Sequence, residues 1–145
     1  MKVKDILKTK GPEVFTIGEE KTLGDAVKIL SANNIGVLLV LSSEAKISGI
    51  ISERDIIRQL AKDPQNCLST KVKDVMTRQV IVVEPEDDLE YVEKVMTQNR
   101  CRHVPVIHNK VLVGLISIGD IVKSMLKESE IENKYLKDYI SGIVS

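Results

Sequence analysis

Aromatic side chains are nearly missing from this chain: there is no Trp, one Phe and three Tyr. The core must therefore be aliphatic, and a bound base would be held by aliphatic side chains and backbone, without the aromatic stacking that single-strand binders use. Cysteine is scarce too. Cys67 and Cys101 lie far apart and suggest no disulfide framework, which points to a reduced, cytoplasmic setting. Neither charge is in excess, with 21 Lys+Arg against 21 Asp+Glu. Without a global field, neither nucleic acid nor an anionic membrane is the expected partner. No apolar run approaches the roughly 20 residues that span a bilayer, and MKVKDILKTKG lacks the apolar stretch of a signal peptide. The glycines form neither G-x-G-x-x-G nor G-x-x-x-x-G-K-[ST], so dinucleotide-fold and P-loop binding are not implied.

What the chain does have is itself, twice. VKDIL at Val3–Leu7 reappears as VKDVM at Val72–Met76, an offset of 69 from Asp5 to Asp74. Leu23–Val40 aligns with Leu89–Val106 at an offset of 66, and GIISERDII from Gly49 aligns with GLISIGDIV from Gly114 at 65. Three blocks in one order mean two copies of one folding unit.

Each copy reads as β-α-β-β-α. A short strand (Val14–Ile17, or Val80–Val83) precedes a helix whose stripe is Leu23, Ala26, Val27 and Leu30, or Leu89, Val92 and Met96. Thr22 with Asp25 forms a capping signature, and Asp88 is the candidate N-cap of the second helix. Asn33-Asn34 and Gln98-Asn99 are expected to end these helices in the left-handed region. A hairpin follows, Ile35–Leu41 with Lys46–Ile51, or Cys101–Ile107 with Val111–Ile116. The last helix opens at Ser52 or Ser117. Runs such as VLLVL require burial on both faces, so the halves are expected to pack on one another. The expected boundaries are 1–62 and 72–126 for the copies, 63–71 for a linker, and 127–145 for a helical extension with Ile131, Tyr135 and Tyr139 on one face.

This doubled unit, with GIISERDII, GLISIGDIV and the strand run NRCRHVPVI, resembles the tandem cystathionine-β-synthase (CBS) domain, or Bateman module, over about residues 1–126. The C-terminal YLKDYISG is similar to the extension of some short stand-alone members. The resemblance implies a layered α+β fold: two repeats joined through three-stranded sheets about a pseudo-twofold axis, plus a C-terminal helix. It also implies two clefts for AMP, ADP or ATP, and in some members S-adenosylmethionine or dinucleotides. Modules of the family commonly pair, which makes a homodimer the expected assembly.

Carried over residue by residue, Asp55 and Asp120 would accept the ribose hydroxyls, with Ser52 and Ser117 near ribose and phosphate. Thr16 would lie near the base, where the second copy has Val82. The backbone around Val104 and Pro105 would read the base edge. Chemistry agrees: a carboxylate suits a vicinal diol, and helix N-termini at Ser52 and Ser117 favour phosphate. Arg54, Arg102 and His103, with Arg100, would neutralise phosphate. The copies differ, since Gly36, Val37 and Leu39 stand for Arg102, His103 and Pro105, and Gly119 stands for Arg54. Either one cleft binds better or each phosphate draws cations from both halves.

Plainer readings stand beside these. Ser52–Asp55 and Ser117–Asp120 are also capping boxes in form. Cys101, His103 and His108 lack tetrahedral metal-site spacing, and no third group or oxyanion site supports a Cys–His nucleophile. The arginines have a solvated-surface reading, and the Tyr135/Tyr139 stripe reads as packing. The expected function is a regulatory module that senses an adenosine nucleotide and signals to an unidentified protein, with no required cofactor and no catalysis. The alternative is a scaffold subunit with vestigial clefts.

Overall fold

The computed structural model describes residues 1–140, excepting the side chains of Glu132 and 135–140; the expectation for Tyr135 and Tyr139 falls outside the described side chains. In chain order the elements are α1 (Val3–Lys10), β1 (Thr16–Gly18), α2 (Leu23–Asn33), β2 (Val37–Leu41), β3 (Ile47–Ser52), α3 (Glu53–Lys62), α4 (Leu89–Asn99), β4 (His103–His108), β5 (Val111–Ser117) and α5 (Ile118–Ile140). They form two compact units that do not follow the repeat. One is Glu13–Ile81; the other joins Met1–Pro12 to the chain from Val82 onward.

Within the first unit the sheet order is β1-β2-β3, with β1 parallel and β3 antiparallel to β2. Val37–Val40 are all buried, as a two-sided strand requires. Leu23, Ala26 and Leu30 of α2 close one side of the core, and Ile56 of α3 joins them. Val27, expected on the buried stripe, is 37% exposed. Thr22 and Asp25 make the expected reciprocal cap, and Asn34 ends α2 in the left-handed region. Cys67, inside the stretch read as linker, is 1% exposed in a short 3-10 turn, Cys67–Ser69, and belongs to this core.

The second unit carries an antiparallel β4-β5 pair, with the register shift between Val106 and Ile107 matching that between Val40 and Leu41. The strand expected at Val80–Val83 is reduced to one parallel bridge, Val83 to Val106. Two prolines explain this. In the first copy Leu39 N–H donates to the Phe15 carbonyl and Glu19 N–H to the Leu41 carbonyl, outside the central pairing of Ile17. The aligned donors are Pro105 and Pro85, which have no N–H. Only the pair around Val83 survives: Val83 N–H to the Pro105 carbonyl at 3.0 Å and Ile107 N–H to the Val83 carbonyl at 2.9 Å.

Other details also differ from expectation. Asp88 holds the N-cap position of α4, but its side chain accepts no capping bond. The left-handed residue closing α4 is Arg100 (φ 52°), not Asn99. The helical extension expected from 127 continues the helix that opens at Ile118.

The two VKD segments are exchanged between the units. Val72 and Met76 pack with Ile17, Leu23 and Ile51 in the first core. Val3 and Ile6 pack with Val83, Leu89 and Ile116 in the other. All four are at most 7% exposed, and full burial of such side chains is worth about 1.5–3 kcal/mol each. The tethers match: Val72 N–H and Lys73 N–H donate to the carbonyls of Lys21 and Glu19, as Val3 and Lys4 do to those of Asp87 and Pro85. Lys71 and Lys73 grip Glu20 at 2.8 and 2.9 Å, while Lys2 and Lys4 grip Glu86 at 2.9 Å each.

Each exchanged segment also needs a glycine opposite it. A Cβ on Gly49 would lie 2.6 Å from Met76 Sδ and 2.8 Å from the Thr77 carbonyl oxygen; one on Gly114 would meet only the Leu7 side chain, at 2.5 Å. Gly49→Ala is expected to lower stability by about 1–3 kcal/mol, and Gly114→Ala by less, because a leucine tip yields more easily than a backbone carbonyl. Urea unfolding of the two variants checks the order.

The lysine grips pull the Glu20 and Glu86 carboxyls from 4.5 to about 2, chiefly through hydrogen bonds from Lys71 and Lys4 respectively. A depressed folded-state carboxyl stabilises fully above its unfolded value near 4.5, and that contribution is lost as pH falls toward 2. Glu20→Gln/Glu86→Gln should therefore be less stable than the parent at pH 7, with the difference vanishing at the acid end. Both sites are solvent-exposed, so the gap should also shrink with salt; urea midpoints across pH and ionic strength measure it.

Candidate functional site

Each β5-like strand ends in a serine that caps the following helix. Ser52 caps α3: its N–H donates to Asp55 Oδ2 at 2.9 Å, its hydroxyl lies 3.1 Å from the same oxygen, and Asp55 N–H donates back to Ser52 Oγ at 3.3 Å. Ser117 does the same for α5, with Ser117 N–H to Asp120 Oδ2 at 2.9 Å and Asp120 N–H to Ser117 Oγ at 3.1 Å. The plain capping reading is thus structurally present in both copies. It uses only one oxygen of each carboxylate.

The second oxygen is available. Among the described residues Asp55 Oδ1 has only Arg58, at 3.7 Å on a side chain 75% exposed, and Asp120 Oδ1 takes no hydrogen bond. The carboxylate side chains are 16% and 23% exposed. Capping therefore leaves a directed acceptor at each helix mouth.

First-turn donors are fewer than expected from a bare helix end. Glu53 N–H is tied to the Gly36 carbonyl and Ile118 N–H to the Arg102 carbonyl. With Asp55 and Asp120 N–H also taken, the first-turn donors outside these contacts are those of Arg54 and Gly119.

The second unit's mouth contains a residue that sequence reasoning missed. Lys10, at the end of α1, donates to Asp120 Oδ2 at 2.6 Å and to the Leu115 carbonyl at 2.9 Å. Its only sequence signal was the repeat itself, which would have placed it in the other unit. Burial pushes the Asp120 carboxyl up, but hydrogen bonds from Lys10 and Ser117 prevail and hold it below its ordinary value. His103 opens β4 opposite Ser117. Burial lowers its pKa, the Lys10 and Arg102 charges act the same way, and Asp120 opposes them.

The remaining expected site residues are spread. Arg54 and Arg102 are exposed, and Thr16 is half-buried on β1 opposite Leu39. Val104 and Pro105 are buried within the β4-β5 pair, and the Pro105 carbonyl already accepts from Val83. Arg100 is exposed at the end of α4, in a left-handed conformation. A groove of about 540 Å³ lies between α2 and α3, lined by Val27, Leu30, Gly36, Glu53 and Ile57 among others, but not by Ser52 or Asp55. Burial raises the Cys101 thiol above its ordinary value. Among the described residues no three His, Cys, Asp or Glu side chains gather as metal ligands, and no helix is long and apolar enough to cross a membrane.

With two such capped mouths on doubled β-α-β-β-α units, the chain belongs to the CBS-domain family, which matches residues 3–62 and 72–127. It is similar to the mitochondrial CBS domain-containing protein CBSX3 of Arabidopsis thaliana, with 36% identity over 97% of this chain and 72% of the relative. It is also similar to the crystal structure of the CBS-domain containing protein ATU1752 from Agrobacterium tumefaciens: TM-score 0.83, 36% identity, 86% of this chain and 99% of that one. A third likeness is the CBS domain pair of protein MJ0100, solved in complex with 5′-methylthioadenosine and S-adenosyl-L-methionine: TM-score 0.75, 28% identity, 86% of this chain and 99% of that one.

Arg100 supplies a test of strain at this surface. An L residue other than Asn, Asp or Gly is disfavoured at φ 52°. Arg100→Gly is expected to stabilise the protein by about 0.5–1 kcal/mol, whereas Asn34→Gly, at the aligned position, should change little. Thermal midpoints of the two variants make the comparison.

Proposed function

We propose that the protein is a regulatory module that binds adenosine-containing ligands, AMP, ADP or ATP foremost, at the helix-mouth carboxylates Asp55 and Asp120. The observation that carries this is the division of labour in each carboxylate: one oxygen caps its helix while the other stays open to a ribose diol. Ser52 and Ser117 position the carboxylates. Arg54 and Gly119 N–H groups at helix N-termini suit a phosphate; Arg54, Arg100 and Arg102 add positive charge, and the His103 ring supplies a hydrogen-bond donor. Thr16 takes the base side at Asp55, and the backbone at Val104 and Pro105 does so at Asp120, where the Pro105 carbonyl keeps a second lone pair beyond its bond from Val83. The adenosine ligands of the similar MJ0100 pair support the ligand class.

The module performs no chemistry of its own; occupancy is read by a partner protein through differential affinity of the ligand for two arrangements. Apolar side chains exposed on α3 and α5, including Ile57 (62%) and Leu126 (59%), support pairing with a second copy.

Thermal melting with millimolar AMP, ADP, ATP, NADH and S-adenosylmethionine tests the reading. A ligand at 100 times its Kd should add about 2.7 kcal/mol of stability and raise the midpoint. Asp55→Ala and Asp120→Ala should each remove part of that rise. No shift with any ligand would favour a scaffold subunit instead, and a shift untouched by both variants would remove the ribose assignment.

A further inference from the structure

We infer that Lys10 makes the Asp120 site selective for adenosine ligands that carry a phosphate and holds it against the bare nucleoside; this rests on Asp120 being a ribose acceptor, as proposed above. The two carboxylates differ in what holds them. Asp120 is clamped by an ammonium at 2.6 Å whose other bond goes to the Leu115 carbonyl, and both side chains of the pair are only partly exposed, at 34% and 23%. Among the described residues Asp55 has no such clamp: its basic neighbour, Arg58, stands 3.7 Å away on a mostly exposed side chain.

The sequence difference behind this is plain. In the VKD alignment the position of Lys10 is Gln79, and the position of Arg102 is Gly36. Gly36 lies against a carboxylate instead, with Glu53 Oε1 3.3 Å from where its Cβ would be. The Asp120 mouth therefore sets Lys10 directly on its acid, whereas the Asp55 mouth carries a second acid, Glu53, and a loosely placed Arg58.

Lys10 on Asp120 Oδ2 draws charge from the carboxylate, so a diol donating to the open Oδ1 meets a weaker acceptor. A neutral nucleoside gives the ammonium nothing in return, so the carboxylate stays a weakened acceptor for it. A phosphate supplies the missing counter-charge. Lysine is a flexible point charge with three donors, so Lys10 can turn to the phosphate while keeping its bond to Leu115.

The full chain carrying Asp55→Ala, which leaves the Asp120 site, is titrated calorimetrically with AMP and with adenosine, with and without Lys10→Met. With Lys10 present, AMP should bind at least about tenfold more tightly than adenosine. Lys10→Met should weaken AMP about tenfold or more and strengthen adenosine, opposite signs that a loss of folding would not produce. Lys10→Arg should retain the AMP preference, and Lys10→Gln replaces Lys10→Met if the latter melts at the working temperature. Equal changes for both ligands, or none, would overturn the role of Lys10. If instead Asp120→Ala leaves AMP binding untouched, or the parent binds neither ligand, the ribose reading itself has failed, and the role of Lys10 with it.

Discussion

The exchange of the two VKD segments is the constraint on which the rest of this structure depends. Neither compact unit coincides with one sequence repeat. Val72 and Met76 complete a core begun by Ile17 and Leu23, and Val3 and Ile6 complete one begun by Val83 and Leu89. The exchange is reinforced at three levels by matched groups: apolar side chains, backbone tethers, and a lysine pair on one glutamate. The glycines at 49 and 114 belong to it as well, since each admits the side chain of the incoming segment. The repetition extends to a serine–aspartate cap at the mouth of each final helix.

Within that shared frame the units diverge through a few residues. Pro85 and Pro105 remove the two outer backbone donors that would make a third strand, so one unit has a full sheet edge and the other a single bridge. The charge around the two carboxylates diverges as well, with Lys10 clamping one and a loosely placed arginine near the other. A single fold thereby offers two acceptors of like geometry in unlike electrostatic surroundings.

Much of this was legible in the sequence. Hydrophobic period and capping chemistry located the helices from Thr22 and Ser52, and the VLLVL run announced a strand buried on both faces. The serine–aspartate pairs stood out because their spacing is fixed by one helical turn. What escaped was non-local. Periodicity could not tell that Leu7 faces Gly114 instead of Gly49, and so Lys10 was invisible as a partner of Asp120. The missing strand at Val80–Val83 was readable in principle, because both prolines that abolish it are in plain view. β-rich composition by itself does not report which donors the neighbouring strand possesses. Arg100 escaped for a similar reason: the left-handed position is fixed by the aligned Asn34, not by the residue's own preference.

The exchange also has a bearing on how the chain is made. Synthesis proceeds at about 5–20 residues per second, and the unit Glu13–Ile81 is complete once its last residue has emerged. Val3 and Ile6, though translated before that unit, find their partners only when Val83 through Ile121 have followed. For several seconds the nascent polypeptide therefore displays an apolar N-terminal segment beside an already finished half, a window open to chaperones or to the same segment of a neighbouring ribosome's product.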